Sequence, residues 1–228
     1  MNTHNLNILY EDNHLLVVNK RSSDLVQGDK TGDTPLSDIV KNYIADTYNK
    51  PGAVYLGVVH RLDRPTTGVV VFARTSKALS RLNKAFASRE TEKVYWAVVK
   101  NTPPKQQDTL THYLKRNPKQ NKSYAHKNEV PNSKKAVLEY RLIKTLQNYY
   151  VLEIKLHTGR HHQIRAQLSA IGCPIKGDLK YGFDRSNADG SIHLHARSLT
   201  VSHPTKKEPI TFIAPTPQDT LWQACEDK

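Results

Sequence analysis

The chain has 228 residues with 34 Lys and Arg against 21 Asp and Glu, giving a formal net charge of +13. Its longest apolar runs, at 15–18 and 69–73, are far too short to span a bilayer, and residues 1–12 lack the basic start and apolar stretch of a secretory signal. A domain this basic most often binds a polyanion, so we favour nucleic acid as its partner over a merely soluble basic protein. Cys173 and Cys225 have no metal-like spacing, and we expect a reduced cytoplasm as the compartment.

Hydrophobic spacing predicts short strands interrupted by a few helices. In the first half of the chain, the predicted elements are strands over 8–10 and 15–19, a helix from 35 or 36 to 48, strands ending at 59 and running through 69–72, a helix over 76–87 capped by Ser76, and a strand over 91–100. In the second half, they are a strand over 109–114, a hairpin of strands over 136–146 and 149–156, a helix over 161–171, strands over 192–201 and 209–213, and a terminal helix over 218–226. This order predicts an α+β fold with a mixed or antiparallel sheet, in one domain over residues 1–228.

The segment 105–135 is polar, with eight Lys or Arg against two acidic residues. Its central part, 118–132, has no strand or helix periodicity. We therefore expect a long loop there, and both a solvated mobile loop and an arm that contacts RNA fit the pattern.

The segment 60–68, with the sequence HRLDRPTTG, places one carboxylate between two arginines. It forms a predicted loop between two apolar strand ends, and catalytic residues often lie on such rigidly held loops. An Asp beside Arg in a turn is ordinarily only a local ion pair, so Asp63 needs support from elsewhere in the chain.

The segment 156–165, with the sequence LHTGRHHQIR, follows a predicted strand and opens a predicted helix. Gly159 permits a tight passage between the two, and a helix start favours anions. On that helix His161 and Arg165 are four residues apart and share a face. Arg165 is therefore a candidate partner for Asp63.

The histidines also raise the question of a metal site. Those considered are His157, His161, His162, His193 and His195. They do not form His-Glu-x-x-His, and the neighbouring Arg160 and Arg165 would repel a cation. We favour hydrogen-bonding or phosphate-contacting histidines, and expect no metal.

Together these segments resemble the RluA-type pseudouridine synthases. The resemblance rests on five blocks in family order: 8–20, 60–68 (HRLD…TG), 93–97 (KVYWA), 158–165 (TGRHHQIR) with its continuation through 171–182 (IGCPIKGD…YG), and 194–196 (LHA). The blocks cover about 8–213. The chain departs from the pattern after Lys20, where the family usually has Pro and then Gly two residues later but this chain has Arg21-Ser22-Ser23; Thr67 and Arg74 replace the usual Ser and Lys.

The resemblance implies a single catalytic domain with a bent, mostly antiparallel sheet, flanked by a few helices and loops. No RNA-binding domain of the S4 type is expected before it. The implied activity is isomerisation of uridine in ribosomal or transfer RNA, by a cytoplasmic and monomeric enzyme that needs no cofactor. The implied catalytic residues are Asp63, Tyr95 and Arg165, with Asp63 reached by base flipping. The implied substrate and RNA contacts are His60, Arg61, Arg64, Thr67, Gly68, Arg160, His162 and Gln163.

A non-catalytic RNA-binding or ribosome-assembly protein on the same scaffold is the alternative, since the charge of +13 serves it equally well. The presence of Asp63, Tyr95 and Arg165 favours the enzyme, because a binding module has no use for a carboxylate that repels RNA. A histidine-dependent metalloenzyme is a third hypothesis.

Overall fold

The computed structural model describes residues 6–29 and 31–226. Within these ranges, the strands are β1 (Ile8–Glu11), β2 (Leu15–Lys20), β3 (Gly57–Val58), β4 (Thr67–Ala73), β5 (Glu92–Val99), β6 (Gln107–Asn117), β7 (Lys122–His126), β8 (Lys134–Thr145), β9 (Tyr150–Leu156), β10 (Leu194–Ser202) and β11 (Pro209–Ile213). The α-helices are α1 (Leu36–Thr47), α2 (Ser76–Ser88), α3 (Gln163–Ala170) and α4 (Thr220–Glu226). The predicted α+β class is confirmed.

The chain forms two compact units. The first comprises the described residues up to Glu92 together with Ala196–Pro215, and the second comprises Lys93–His195 together with the described residues from Thr216 onward. The single catalytic domain stays a prediction.

In the first unit, β4 is the central strand. It pairs antiparallel with both β2 and β3, while β1 pairs with β2 and β11 with β10. All seven residues of β4 are buried, and α2 packs Ala78 and Leu82 against the face that carries Val69, Val71 and Ala73. The Thr75 hydroxyl caps α2 by accepting the Ala78 N–H at 3.1 Å, so the predicted cap at Ser76 is wrong by one residue.

The second unit is a sheet in the order β5-β9-β8-β6-β7, with every described pair antiparallel. Helix α3 packs against β6 and β7, and one core cluster there comprises Leu114, Ala136, Ala166 and Tyr181. Helix α4 packs its Trp222 and Cys225 against Val98 and Val151.

Two sequence predictions in this unit are wrong. Residues 122–126 are not part of a long loop but form β7, which closes a hairpin with β6 although its polar residues give no periodic signal. Helix α3 begins at Gln163, because His162 has a left-handed backbone (φ 53°) that no helix can continue through. His161 therefore lies before the helix and does not share a helical face with Arg165.

Candidate active site

The loop before β4 carries Asp63, and its backbone is fixed on both sides. Thr66 N–H donates to the Asp63 carbonyl at 3.0 Å, and Ser23 N–H donates to the Arg64 carbonyl at 3.1 Å. The Leu62 side chain is buried while Asp63 is half-buried. A rigid turn thus presents a carboxylate that solvent or a ligand can reach.

Lys20, the last residue of β2, ties this loop to the sheet. Its ammonium donates to the carbonyls of Arg21, Arg64 and Thr66 at 2.8, 3.0 and 2.8 Å, and the side chain is 1% exposed. Burial lowers the pKa of Lys20 to about 8, and the negative charges of Asp24 and Asp63 oppose that shift. Three carbonyl partners satisfy all three donors of the ammonium, which is how the interior tolerates it.

Ser23 has a left-handed backbone with φ 74°. This is the position where the family pattern usually has Gly, and a left-handed backbone costs a residue with a side chain about 1–2 kcal/mol. The loop therefore keeps the shape that glycine would allow freely, at some cost in stability.

The other predicted residues of the first unit differ in their exposure. Arg61 and Arg64 are exposed, although Arg64 forms an ion pair with Asp33 at 2.8 Å. His60 accepts the Val71 N–H through Nε2 at 3.1 Å and stacks on Phe86. Its side chain therefore anchors the start of the loop to β4 and α2. Thr67 and Gly68 are buried.

Gly68 has a packing reason to be glycine. Its φ is +114°, and a Cβ at this position would lie 2.3 Å from the Ala196 carbonyl oxygen. Only glycine permits this close approach of β4 to the Ala196 backbone. A direct contact of Gly68 with RNA stays a prediction.

In the second unit, Arg165 is held by Asp178. Its Nε and Nη2 donate to the two carboxylate oxygens of Asp178 at 2.7 and 2.9 Å, and the residues are 5% and 1% exposed. Such a bidentate pair fixes both the position and the plane of the guanidinium. Sequence reasoning did not assign this partner, although Asp178 lies in one of the recognised blocks.

The Arg165 guanidinium lies over the aromatic ring of Tyr181. The guanidinium carbon lies 5.0 Å from the ring centroid, and the Tyr181 hydroxyl contacts His162 Nδ1 at 3.0 Å and accepts the Ser123 N–H at 2.8 Å. His162 in turn stacks on His161, with ring centroids 3.8 Å apart. The turn before α3 and the hairpin β6–β7 together support Arg165.

Gln163 closes the turn itself. Its Oε1 accepts the Thr158 hydroxyl at 2.8 Å and the Arg160 N–H at 3.0 Å, and its Nε2 donates to the Val137 carbonyl. Gln163 and His162 are buried, whereas Arg160 is half-buried. Among the residues predicted to contact RNA in this unit, Arg160 is thus the accessible one.

Tyr95 lies on β5, opposite Ile154 of β9, and is 9% exposed. The structure brings Arg160, His162, Gln163 and Arg165 together around the start of α3. It brings His60, Arg61, Asp63 and Arg64 together in the loop before β4. Lys20, Asp178 and Tyr181 are the supporting residues that sequence reasoning did not assign to the site. All three lie in recognised blocks, and Lys20 is also visible as a cation that ends an apolar strand.

Among residues 6–29 and 31–226, no group of three or more His, Cys, Asp or Glu is placed to hold a metal ion. His193 and His195, considered above as ligands, pack against Trp222, with ring centroids 5.2 and 5.8 Å from the centroid of the Trp222 ring. No helix in the described part of the chain is long and apolar enough to cross a membrane.

Comparison with known proteins identifies the family. The family model for RNA pseudouridylate synthase matches residues 14–170, a stretch that includes Asp63, Tyr95 and Arg165. An uncharacterized RNA pseudouridine synthase of Synechocystis is 34% identical over 216 residues, which cover 93% of this chain and 66% of the relative. The ribosomal large subunit pseudouridine synthase D of Xanthomonas campestris is 34% identical over 227 residues, which cover 94% of this chain and 67% of that protein. The chain thus spans about two thirds of the length of these two relatives.

The fold agrees with this assignment. The structure of human RNA pseudouridylate synthase domain containing 4 matches with a TM-score of 0.78 and 23% identity, over 96% of this chain and 91% of that one. The predicted family resemblance is confirmed. The chain belongs to the RNA pseudouridylate synthase family, RNA-modifying isomerases, and within it to the RluA type that its sequence blocks predict.

Proposed function

We propose that this chain converts uridine to pseudouridine within structured RNA and that Asp63 is its catalytic carboxylate. The reaction breaks the bond between the ribose and the base nitrogen and forms a carbon–carbon bond to the rotated uracil. No electrons are gained or lost, so the residues of the chain suffice. The observation that carries the proposal is the immobilised loop, which holds the half-buried Asp63 between Lys20 and the Ser23 backbone.

Arg165 is proposed as the partner of Asp63. Asp178 fixes the position and the plane of this guanidinium through two hydrogen bonds. A cation held in this way can control the charge and direction of a second carboxylate. Family membership supports this pairing, because the matched region contains both residues.

Tyr95 is proposed to stack on the uracil and to assist proton transfer through its hydroxyl. Changing Tyr95 to Phe should lower kcat roughly a hundredfold or more while leaving RNA affinity nearly unchanged. Single-turnover kinetics and equilibrium RNA binding would separate the two effects. Tyr140→Phe is the matched control, since Tyr140 is also a buried tyrosine of this unit, 3% exposed, and should keep its activity. Equal losses of kcat and affinity in Tyr95→Phe would instead assign Tyr95 to packing.

The target uridine must leave its helix to reach Asp63, at a cost of a few kcal/mol. We propose that the exposed Arg61 enters the vacated place in the RNA and that Arg64 contacts phosphate after releasing Asp33. An exposed ion pair of this kind contributes at most about 1 kcal/mol, so its release costs little.

We propose ribosomal RNA as the preferred substrate and transfer RNA as the second candidate, because a relative is named for the large ribosomal subunit. A cytoplasmic monomer is the proposed form of the enzyme.

Pseudouridine mapping of total RNA from a deletion strain, complemented with wild type or Asp63→Asn, tests the whole proposal. A uridine site should lose its modification on deletion and regain it only with wild type. If no site is lost, or if Asp63→Asn restores it, the proposed function fails.

A further inference from the structure

One face of the hairpin β6–β7 carries aromatic and basic side chains side by side. Leu114, Ala125 and Ala136 pack in or against the core cluster on one face of this sheet, so strand alternation sends their neighbours to the other face. On that face Lys115 lies opposite Tyr124, and Tyr113 lies between His126 and Lys135. These five residues are called the tyrosine face.

The two rings are within reach of one ligand. Tyr113 and Tyr124 are diagonal neighbours across the β6–β7 ladder, which places their Cα atoms about 7–8 Å apart. Tyr124 is 42% exposed and Tyr113 is partly exposed. Strand β7 ends the sheet order, so the face is open along that edge.

The hairpin β6–β7 carries a strong positive charge. Residues 113–127 contain five Lys or Arg and no Asp or Glu. Within the described part of the chain, Lys115 and Lys135 form no ion pair, in contrast to Arg64 and Arg74, which have carboxylate partners at 2.8 and 2.7 Å. Cations that no carboxylate neutralises suit a polyanion.

The Tyr124 ring is also held in place before any ligand arrives. Its hydroxyl donates to Gln120 Oε1 at 2.5 Å, and the Lys122 ammonium lies 5.4 Å from the ring centroid. A ring that is already oriented loses little conformational freedom on binding.

We propose that the tyrosine face binds unpaired nucleotides of the RNA, stacking bases on Tyr113 and Tyr124 while Lys115 and Lys135 contact phosphates. Alternating aromatic and basic side chains on an exposed strand surface suit single-stranded nucleic acid, because every base has a face on which to stack. A peptide partner would need carboxylates to match the charge and apolar pockets to hold its side chains. This inference rests on the proposed function in one respect, namely that the nucleic acid bound is RNA.

The test measures affinity for a short labelled single-stranded RNA and for a blunt RNA duplex of the same sequence, by fluorescence anisotropy. It uses the full chain carrying Asp63→Asn, so that turnover plays no part. Tyr124→Ala should weaken single-strand binding about tenfold and leave duplex binding unchanged, while Tyr124→Phe, which keeps the ring but loses the hydrogen bond to Gln120, should weaken it far less. Tyr55→Ala is the matched control, because Tyr55 is 46% exposed in the other unit and should have no effect. Lys115→Ala should weaken binding of both RNAs and reduce its salt dependence.

Normal single-strand binding by Tyr124→Ala would overturn the inference, and so would an equal loss for the duplex or for Tyr55→Ala. If Tyr124→Ala does not fold, Tyr124→Leu replaces it, since leucine keeps apolar area on the strand but offers no ring. A dimer in sedimentation that Tyr124→Ala dissociates without changing RNA affinity would assign the face to a second copy of the chain and overturn the inference as well. Because binding is read without turnover, a failure here is distinct from a failure of the proposed activity.

Discussion

Asp63 and Arg165 are held in opposite ways. The Asp63 loop is fixed through its backbone, by Lys20 and by Ser23, and leaves the carboxylate half-buried. Arg165 is fixed through its side chain, by Asp178 and Tyr181, and is buried. The difference shows where each residue is vulnerable. The Asp63 side chain can change without loss of the fold, whereas the partners of Arg165 cannot.

The largest expected effect is on turnover, at Asp63. Asp63→Asn should lower kcat at least about a thousandfold. Its free energy of unfolding should change by less than about 1 kcal/mol, because Asn keeps the shape of the side chain and the loop is held by its backbone. Single-turnover kinetics and urea unfolding measure the two quantities. A large loss of stability would mean that the Asp63 side chain, rather than the backbone, holds the loop.

Asp178 should show the reverse pattern, with a large loss of stability. Asp178→Asn leaves the buried charge of Arg165 with a neutral partner, and breaking such a pair costs about 3–5 kcal/mol. The double variant Arg165→Met/Asp178→Leu should regain part of this loss in urea unfolding, since neither side then buries a lone charge. Additive losses would mean that the two residues stabilise the fold independently.

Lys20 tests how the loop is attached. Lys20→Met removes the donor from three carbonyls and should lower the free energy of unfolding by about 2 kcal/mol.

The contribution of Lys20 to the pH dependence of stability has a definite sign. Because the folded pKa of about 8 is below the unfolded value of 10.5, the unfolded chain binds more protons between these values, and this group makes stability rise with pH there. Urea unfolding from pH 7 to 10 should show the rise in wild type and not in Lys20→Met.

The smallest expected effect is at Ser23. Ser23→Gly should raise the free energy of unfolding by less than about 1 kcal/mol, because glycine adopts the left-handed backbone without strain but loses more entropy on folding. Thermal unfolding would detect the shift. Ser22→Gly is the matched control, since Ser22 is not among the residues with positive φ, and it should be neutral or slightly destabilising. A loss of stability in Ser23→Gly would show that the serine side chain matters more than the backbone angle.

Much of the fold could be predicted because its signals are local. The buried strands β2 and β4 are continuous apolar runs, and α2 has an apolar stripe. Strand β7 could not be found in this way, since its polar residues form a strand only by pairing with β6. The start of α3 was misplaced by two residues because Gln163 folds back on the turn and His162 takes a left-handed backbone, neither of which has a sequence period.

The sequence by itself determined the family, the α+β class and the residues proposed for catalysis, because the recognised blocks carry those residues in order. Tertiary structure alone decided what surrounds them. Arg165 holds Asp178 and lies against Tyr181, and Lys20 binds the carbonyls of a loop more than 40 residues away. The physical reason is that a buried charge must find its partners in space, and hydrogen bonds between distant segments leave no regular spacing in the chain.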